Sequence, residues 1–238
     1  MNGIFLSVLG FGFVLGLKHA LDPDHLVAVS AIVSESKSVK KSSLVGTFWG
    51  LGHTLSLLSA GIVVIVLKVQ ISDRVALWME FAVALMLILL GLKSMIKHLR
   101  GWNLHRHRHT HNGSTHTHLH LHHAGETQRH RHLHLIDIGA RPLLVGVVHG
   151  IAGSAALTLL VLTTIQSAVA GFIYIIVFGI GSVAGMLIVS SLIGLPFVFT
   201  PKRFKLLNEG LQAAVGLFSL TFGLFLAWQY CFQDHLIF

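Results

Sequence analysis

The sequence predicts an all-α integral membrane protein of about six transmembrane helices, arranged as two inverted three-helix repeats. Three observations carry that expectation. Of 238 residues, 53% are hydrophobic and only 11% are charged, and the mean hydropathy is +0.76, outside the usual range of soluble domains. The apolar residues gather in six segments, at roughly 4–33, 43–67, 75–97, 142–165, 168–199 and 206–230. Each is long enough to cross about 30 Å of hydrocarbon. Short motifs also recur between the halves. Gly16-Leu17-Lys18-His19 returns as Gly146-Val147-Val148-His149, Trp49-Gly50-Leu51-Gly52 as Phe178-Gly179-Ile180-Gly181, and Glu80 as Glu209, at offsets of 130, 129 and 129. Three spans per half make the second half run opposite to the first, the inverted-repeat design of many transporters. The expected division is 1–101 as the first membrane repeat, 102–141 as a loop, and 142–238 as the second repeat.

The first segment exceeds a simple span and holds the most informative stretch, Leu17-Lys18-His19-Ala20-Leu21-Asp22-Pro23-Asp24-His25. Pro23 has no N–H and removes the helical partner of the His19 carbonyl. Asp22 then suits an N-cap, with Pro23 as the first helical residue and Asp24 in the first turn. A first helix broken near Pro23 is expected. Such a break at membrane depth is tolerated where it lines a cavity or is buried in protein. Two histidines and two aspartates there mark a site by default. Imidazole with carboxylate suits a divalent transition metal, so His19, Asp22, Asp24 and His25 are candidate metal residues. The His19 carbonyl is a further possible oxygen donor.

In the second segment, His53 follows Gly50-Leu51-Gly52, glycines that permit close approach by a neighbouring helix. His53 is a further candidate ligand. In the fourth segment His149 heads a run of small residues, with Ser154 and Thr158 four apart on one helical face. These three are candidate pathway groups. Ser182 holds the place of His53 in the second half, so an asymmetric site is expected. Glu80 and Glu209 are read as carboxylates complementing helix starts, and Asp234 is given no role.

The positive charges orient the chain. Lys37, Lys40 and Lys41 follow segment one, Lys93, Lys97 and Arg100 segment three, and Lys202, Arg203 and Lys205 segment five. The alternate loops carry only Lys68, Asp73 and Arg74, or no charge at all. The positive-inside rule then places the basic loops in the cytoplasm and both termini outside, in a multi-pass protein of the cytoplasmic (inner) membrane. The net charge of +8 is thus a topology signal, and no nucleic-acid partner is expected. The N-terminal stretch lacks a basic leader and a small-residue cleavage site, so the first segment is read as a retained helix. Cys231 is the single cysteine, which excludes an internal disulfide.

The loop holds twelve of the 18 histidines: His105, His107, His109, His111, His116, His118, His120, His122, His123, His130, His132 and His134. Such a tract has no core-forming pattern and is expected to be disordered, on the cytoplasmic side, as a metal buffer.

His19-Ala20-Leu21-Asp22-Pro23-Asp24-His25 resembles the signature of the nickel/cobalt transporter family, His-Ala-x-Asp-Ala-Asp-His, with Pro23 in place of the usual alanine. Phe48-Trp49-Gly50-Leu51-Gly52-His53-Thr54 is similar to its second motif, Phe-x-x-Gly-His-Ser. Chain length and Val147-Val148-His149-Gly150 look closest to the urease accessory branch. The resemblance implies a secondary transporter for Ni2+, with Co2+ as a related substrate. It implies metal recognition by His19, Asp22, Asp24, His25 and His53, no cofactor beyond the transported ion, and hand-over to cytoplasmic nickel-delivery proteins. No Walker loop and no His-Glu-x-x-His pair occurs, so neither ATP hydrolysis by that route nor an enzyme is expected. Uptake is the expected direction. Export is the alternative in the same class, and a membrane metal sensor or chaperone using the His-rich loop is the alternative outside it.

Overall fold

The computed structural model describes residues 2–36, 38–67, 71–100, 102–111, 114–123, 139–152, 167–200 and 204–234. The helices are α1 (Asn2–His19), α2 (Pro23–Val33), α3 (Val39–Leu67), α4 (Asp73–Arg100), α5 (Gly139–Ala152), α6 (Ala168–Phe199) and α7 (Lys205–Trp228). The last continues as a π-helical turn, Gln229–Gln233. Four spans are long and apolar enough to cross a membrane: Val39–Leu67, Asp73–His98, Ala168–Phe199 and Leu206–Gln233. The protein is therefore a multi-pass membrane protein with a helical membrane part. The other two expected segments fall short for separate reasons. The first is divided into α1 and α2, and the fourth is described only to Ala152. Ser154 and Thr158 lie outside the described residues, as do His130, His132 and His134.

The break in the first segment spans Ala20 to Asp22. Asp22 is the N-cap of α2 in an extended conformation (φ −61°, ψ 143°) with Pro23 behind it. Its carbonyl accepts the first helical bond, from Leu26 N–H at 3.0 Å. Two details differ from the sequence reading. The Asp22 carboxylate caps no N–H of α2, because it is engaged by His19. Nor is the His19 carbonyl free, since Asp22 N–H donates to it at 3.1 Å.

Membrane helices gain little hydrophobic stabilisation from one another and associate through close packing of small residues and through hydrogen bonds. Here glycines supply the contacts, and they come in matched pairs. Gly16 of α1 lies against the Phe178 carbonyl of α6, and Gly146 of α5 against the Trp49 carbonyl of α3. Gly181 of α6 meets the Phe13 carbonyl of α1, and Gly52 of α3 meets the Leu143 carbonyl of α5. Gly50 lies against Val183, and Gly179 against Thr54. Within every match the residues are 129 or 130 apart. Since Gly46 meets Ser190 while Gly61 meets Ile175, α3 and α6 run antiparallel. The pair α4 and α7 is antiparallel too: Gly223 packs at Ile88 and Gly216 at Ser94, and Ser219 Oγ donates to the Leu87 carbonyl at 3.0 Å.

The core between these helices is Ala28, Val33, Val45, Trp49, Leu87 and their neighbours. Outward residues such as Leu89 (66% exposed) and Leu206 (79% exposed) suit a lipid-facing surface. Lys97 pairs with Glu35 at 3.0 Å and ties the end of α4 to the segment after α2.

The His-rich region departs from the expected absence of structure over its first part. Trp102–His111 (β1) and Ser114–His123 (β2) form an antiparallel ladder with His105 opposite His120, His107 opposite His118 and His109 opposite His116. The physical reason is in the sequence: alternation at period two is a strand pattern, and the dipeptide between the strands, Asn112-Gly113, has the composition that two-residue hairpin loops favour.

Candidate metal site

The break between α1 and α2 turns His19, Asp24 and His25 toward α3 and α5, with Asp22 behind His19. His19 Nδ1 donates to Asp22 Oδ2 at 2.7 Å, leaving its Nε2 at 3.1 Å from His53 Nε2. His25 sits in the first turn of α2, where its backbone N–H donates to its neighbour Asp24 Oδ1 at 3.0 Å and its Nδ1 lies 3.2 Å from the same oxygen. The other oxygen of Asp24 accepts from His149 Nε2 of α5 at 2.7 Å. The His25 and His149 rings are 3.9 Å apart between centroids, and His25 also stacks on Trp49 with planes 7° apart. The close approach of α3 to α5 at Gly52, Gly146 and Gly150 brings His53 and His149 to the same depth.

His25, His53 and His149 are almost fully buried, at 2%, 0% and 1% exposure. Among the described residues, His25 Nε2, His53 Nδ1 and His149 Nδ1 have no hydrogen-bond partner, nor do Trp49 Nε1 and Ser182 Oγ. An unsatisfied buried polar atom costs about 1–3 kcal/mol. Several at one place, mostly imidazole nitrogens, fit a site whose partner is a ligand. Among the described residues two groups could hold a metal ion: His19, His25 and His53, and Asp24, His25 and His149, each with ligand atoms within 4.8 Å of one another. His25 belongs to both. All of these but His53 line a cavity of about 610 Å³ whose lining also includes Lys18, Asp22, Glu80 and Tyr230.

The structure thus gathers all five candidates from the first two segments, His19, Asp22, Asp24, His25 and His53. His149, read from sequence as a pathway group, joins them directly through Asp24. Sequence reasoning missed Trp49 as the stacking partner and Glu80 and Tyr230 as cavity residues. A carboxylate well inside an apolar helix was the available signal for Glu80. Ser182, the counterpart of His53, is fully buried.

Fold and site together define a multi-pass membrane protein with a cavity lined by imidazoles and carboxylates, a class that includes ion transporters. The chain belongs to the NicO family of high-affinity nickel-transport proteins, whose model matches residues 5–222. It is 38% identical over 219 residues to the urease accessory protein UreH of Bacillus sp. (strain TB-90), covering 92% of this chain and 90% of that protein. It is also 25% identical over 215 residues to the chloroplast protein FOR GROWTH AND FERTILITY 1 of Arabidopsis thaliana, covering 90% of this chain and 56% of that one. No solved structure matches the chain. Family membership makes nickel transport the general function, and the protein a transporter rather than an enzyme.

Proposed function

We propose that this protein is a secondary transporter that carries Ni2+, with Co2+ as a second substrate, into the cytoplasm. The observation that carries the reading is the largely buried group of His19, His25 and His53 beside Asp24 and His149, all but His53 lining the cavity. Imidazole and carboxylate are donors that suit Ni2+. Two nitrogens at right angles, each about 2.1 Å from one ion, lie about 3 Å apart; His19 and His53 offer Nε2 atoms separated by 3.1 Å. In this reading His19, His25 and His53 supply nitrogens, and Asp22 and Asp24 supply charge and hold the rings. His149 acts through Asp24.

The proposed frame has six spans in two inverted repeats, both termini outside and the His-rich segment in the cytoplasm. The matched glycine contacts and the antiparallel α3–α6 and α4–α7 pairs support the repeats. The His-rich segment serves as a metal buffer from which cytoplasmic delivery proteins take nickel, and the likeness to a urease accessory protein makes urease a recipient to test. Uptake is favoured energetically: two positive charges entering a negative interior gain about 4.6 kcal/mol per 100 mV.

The test is radioactive nickel content at trace external nickel in cells with this protein, its His25→Ala variant or neither. Higher content that requires His25 is expected. Content below that of empty cells would mean export, and no change for nickel, cobalt or zinc would sink the transporter reading in favour of a sensor.

A further inference from the structure

The cavity has two walls. One carries the histidines with Asp22 and Asp24. The other, from α4, α7 and the π-helical turn, is apolar at Val83, Phe222 and Leu226 and polar at Glu80 and Tyr230. Glu80 lies seven residues beyond Asp73, the first of α4. A helix dipole acts mainly within the first turn, so the helix start does not account for this carboxylate. It is half-buried, with no hydrogen bond or ion pair among the described residues. A carboxylate so placed at membrane depth usually marks an ion path.

Glu80 and Tyr230 line the same cavity as Asp24, His25 and His149. Glu80 is half-buried, and Asp24 touches His25, which is 98% buried, with no partner for its Nε2 among the described residues. The π-helical turn contributes to this arrangement. It spans Gln229–Gln233, is closed by Asp234 N–H donating to the Gln229 carbonyl at 3.1 Å, and carries Tyr230 into the lining. Single π turns inside α-helices occur often at functional sites.

We propose that Glu80, with Tyr230 in the same cavity lining, is a staging site for a hydrated divalent cation on its way to the histidine cluster. The proposal rests on the transport reading for its purpose, not for its test. Six waters at roughly 30 Å³ each amount to about 180 Å³, well within the cavity of about 610 Å³. The ion therefore reaches Glu80 with its hydration shell in place, and the carboxylate holds it through water. The imidazoles then replace that water. A group with this role raises the local cation concentration and the association rate, and leaves the final ligand set unchanged.

The experiment uses the full chain, purified in detergent, with Ni2+ as the probe. On a Trp102→Phe background, which removes the tryptophan at the start of the His-rich segment, tryptophan quenching in a stopped-flow instrument reports arrival at the cluster, because Trp49 stacks on His25. Glu80→Gln is expected to slow association about five- to tenfold at low ionic strength, with the deficit shrinking to under about twofold near 1 M salt, where screening is nearly complete. Dissociation stays as in the unmutated protein, and Glu80→Asp restores association to within about twofold. In uptake assays the half-saturating nickel concentration of Glu80→Gln rises by the same factor while the maximal rate holds. Unchanged association, a deficit insensitive to salt, or a change confined to dissociation would overturn the staging role. An unmutated chain that binds nickel but takes up none would sink the transport reading, and the association rates would still decide the role of Glu80. No nickel binding at all would overturn both.

Discussion

At the scale of single residues, Asp24 is the pivot: one oxygen meets His25 and the other His149, which comes from a helix 125 residues away. A carboxylate that orients a ligating imidazole typically contributes 10–100-fold, as an approximate range, to metal affinity. Asp24→Asn is therefore expected to weaken nickel binding by at least about tenfold, measured by equilibrium titration of the purified protein. A loss of less than about twofold would remove Asp24 from the site. The imidazoles impose a pH dependence of known sign, because a nitrogen must be unprotonated to bind metal. Binding is therefore expected to weaken as falling pH protonates the ring nitrogens. Initial uptake rates from pH 8 to pH 5, roughly, should follow this loss, and a flat profile would take the histidines out of the transport step. The local half of the site was legible because four polar residues interrupt an apolar run between His19 and His25. The link from Asp24 to His149 left no local pattern, only the spacing between Gly16-to-His19 and Gly146-to-His149. Glu80 was hidden by its ordinary appearance on an apolar helix.

At the scale of elements, two kinds of position decide the architecture: the break before Pro23 and the glycines between helices. The break does not depend on proline alone. Asp22 is already extended, and its carboxylate is engaged by His19. An N–H restored at position 23 would be one of the donors that a helix start leaves unpaired in any case. Pro23→Ala, which restores the alanine of the family signature, is expected to keep nickel uptake within about threefold of the unmutated rate. A near-complete loss would show that the ring itself holds the break open. Gly146 behaves differently, because a side chain there meets the Trp49 carbonyl and ring. Gly146→Val should push α5 off α3 and lower the yield of monodisperse protein on size exclusion severalfold. Gly10→Ala, with open space around the added carbon, should leave that yield unchanged or raise thermal stability, since alanine exceeds glycine in helix propensity by about 1 kcal/mol. The sequence made the break visible through the fixed ring of Pro23. It could not reveal that the Asp22 carboxylate prefers a histidine to its own helix, because that choice depends on where α1 ends.

At the scale of the whole molecule, the matched contacts between α1–α6 and α5–α3 express a relation that the sequence holds only as three weak motif echoes. Such a relation becomes readable when both partners of a contact are known, since reciprocity between Gly52/Leu143 and Gly181/Phe13 is a property of pairs. The proposed inverted arrangement assigns each loop to one side of the membrane, and the clustered lysines would make the basic side the cytoplasm. Under that proposal Ser38, before α3, faces inside and Ser72, before α4, faces outside. Cys231 is the single cysteine and is buried, so Cys231→Ser provides a quiet background. On it, Ser72→Cys is expected to react with a membrane-impermeant maleimide on intact cells, and Ser38→Cys only after the membrane is opened. The reverse pattern would place the Glu80 side of the cavity toward the cytoplasm. Under that outcome the ion would enter the cavity from within, and the structure would favour export. Labelling at both positions on intact cells would break the three-span halves themselves, and with them the inverted repeat.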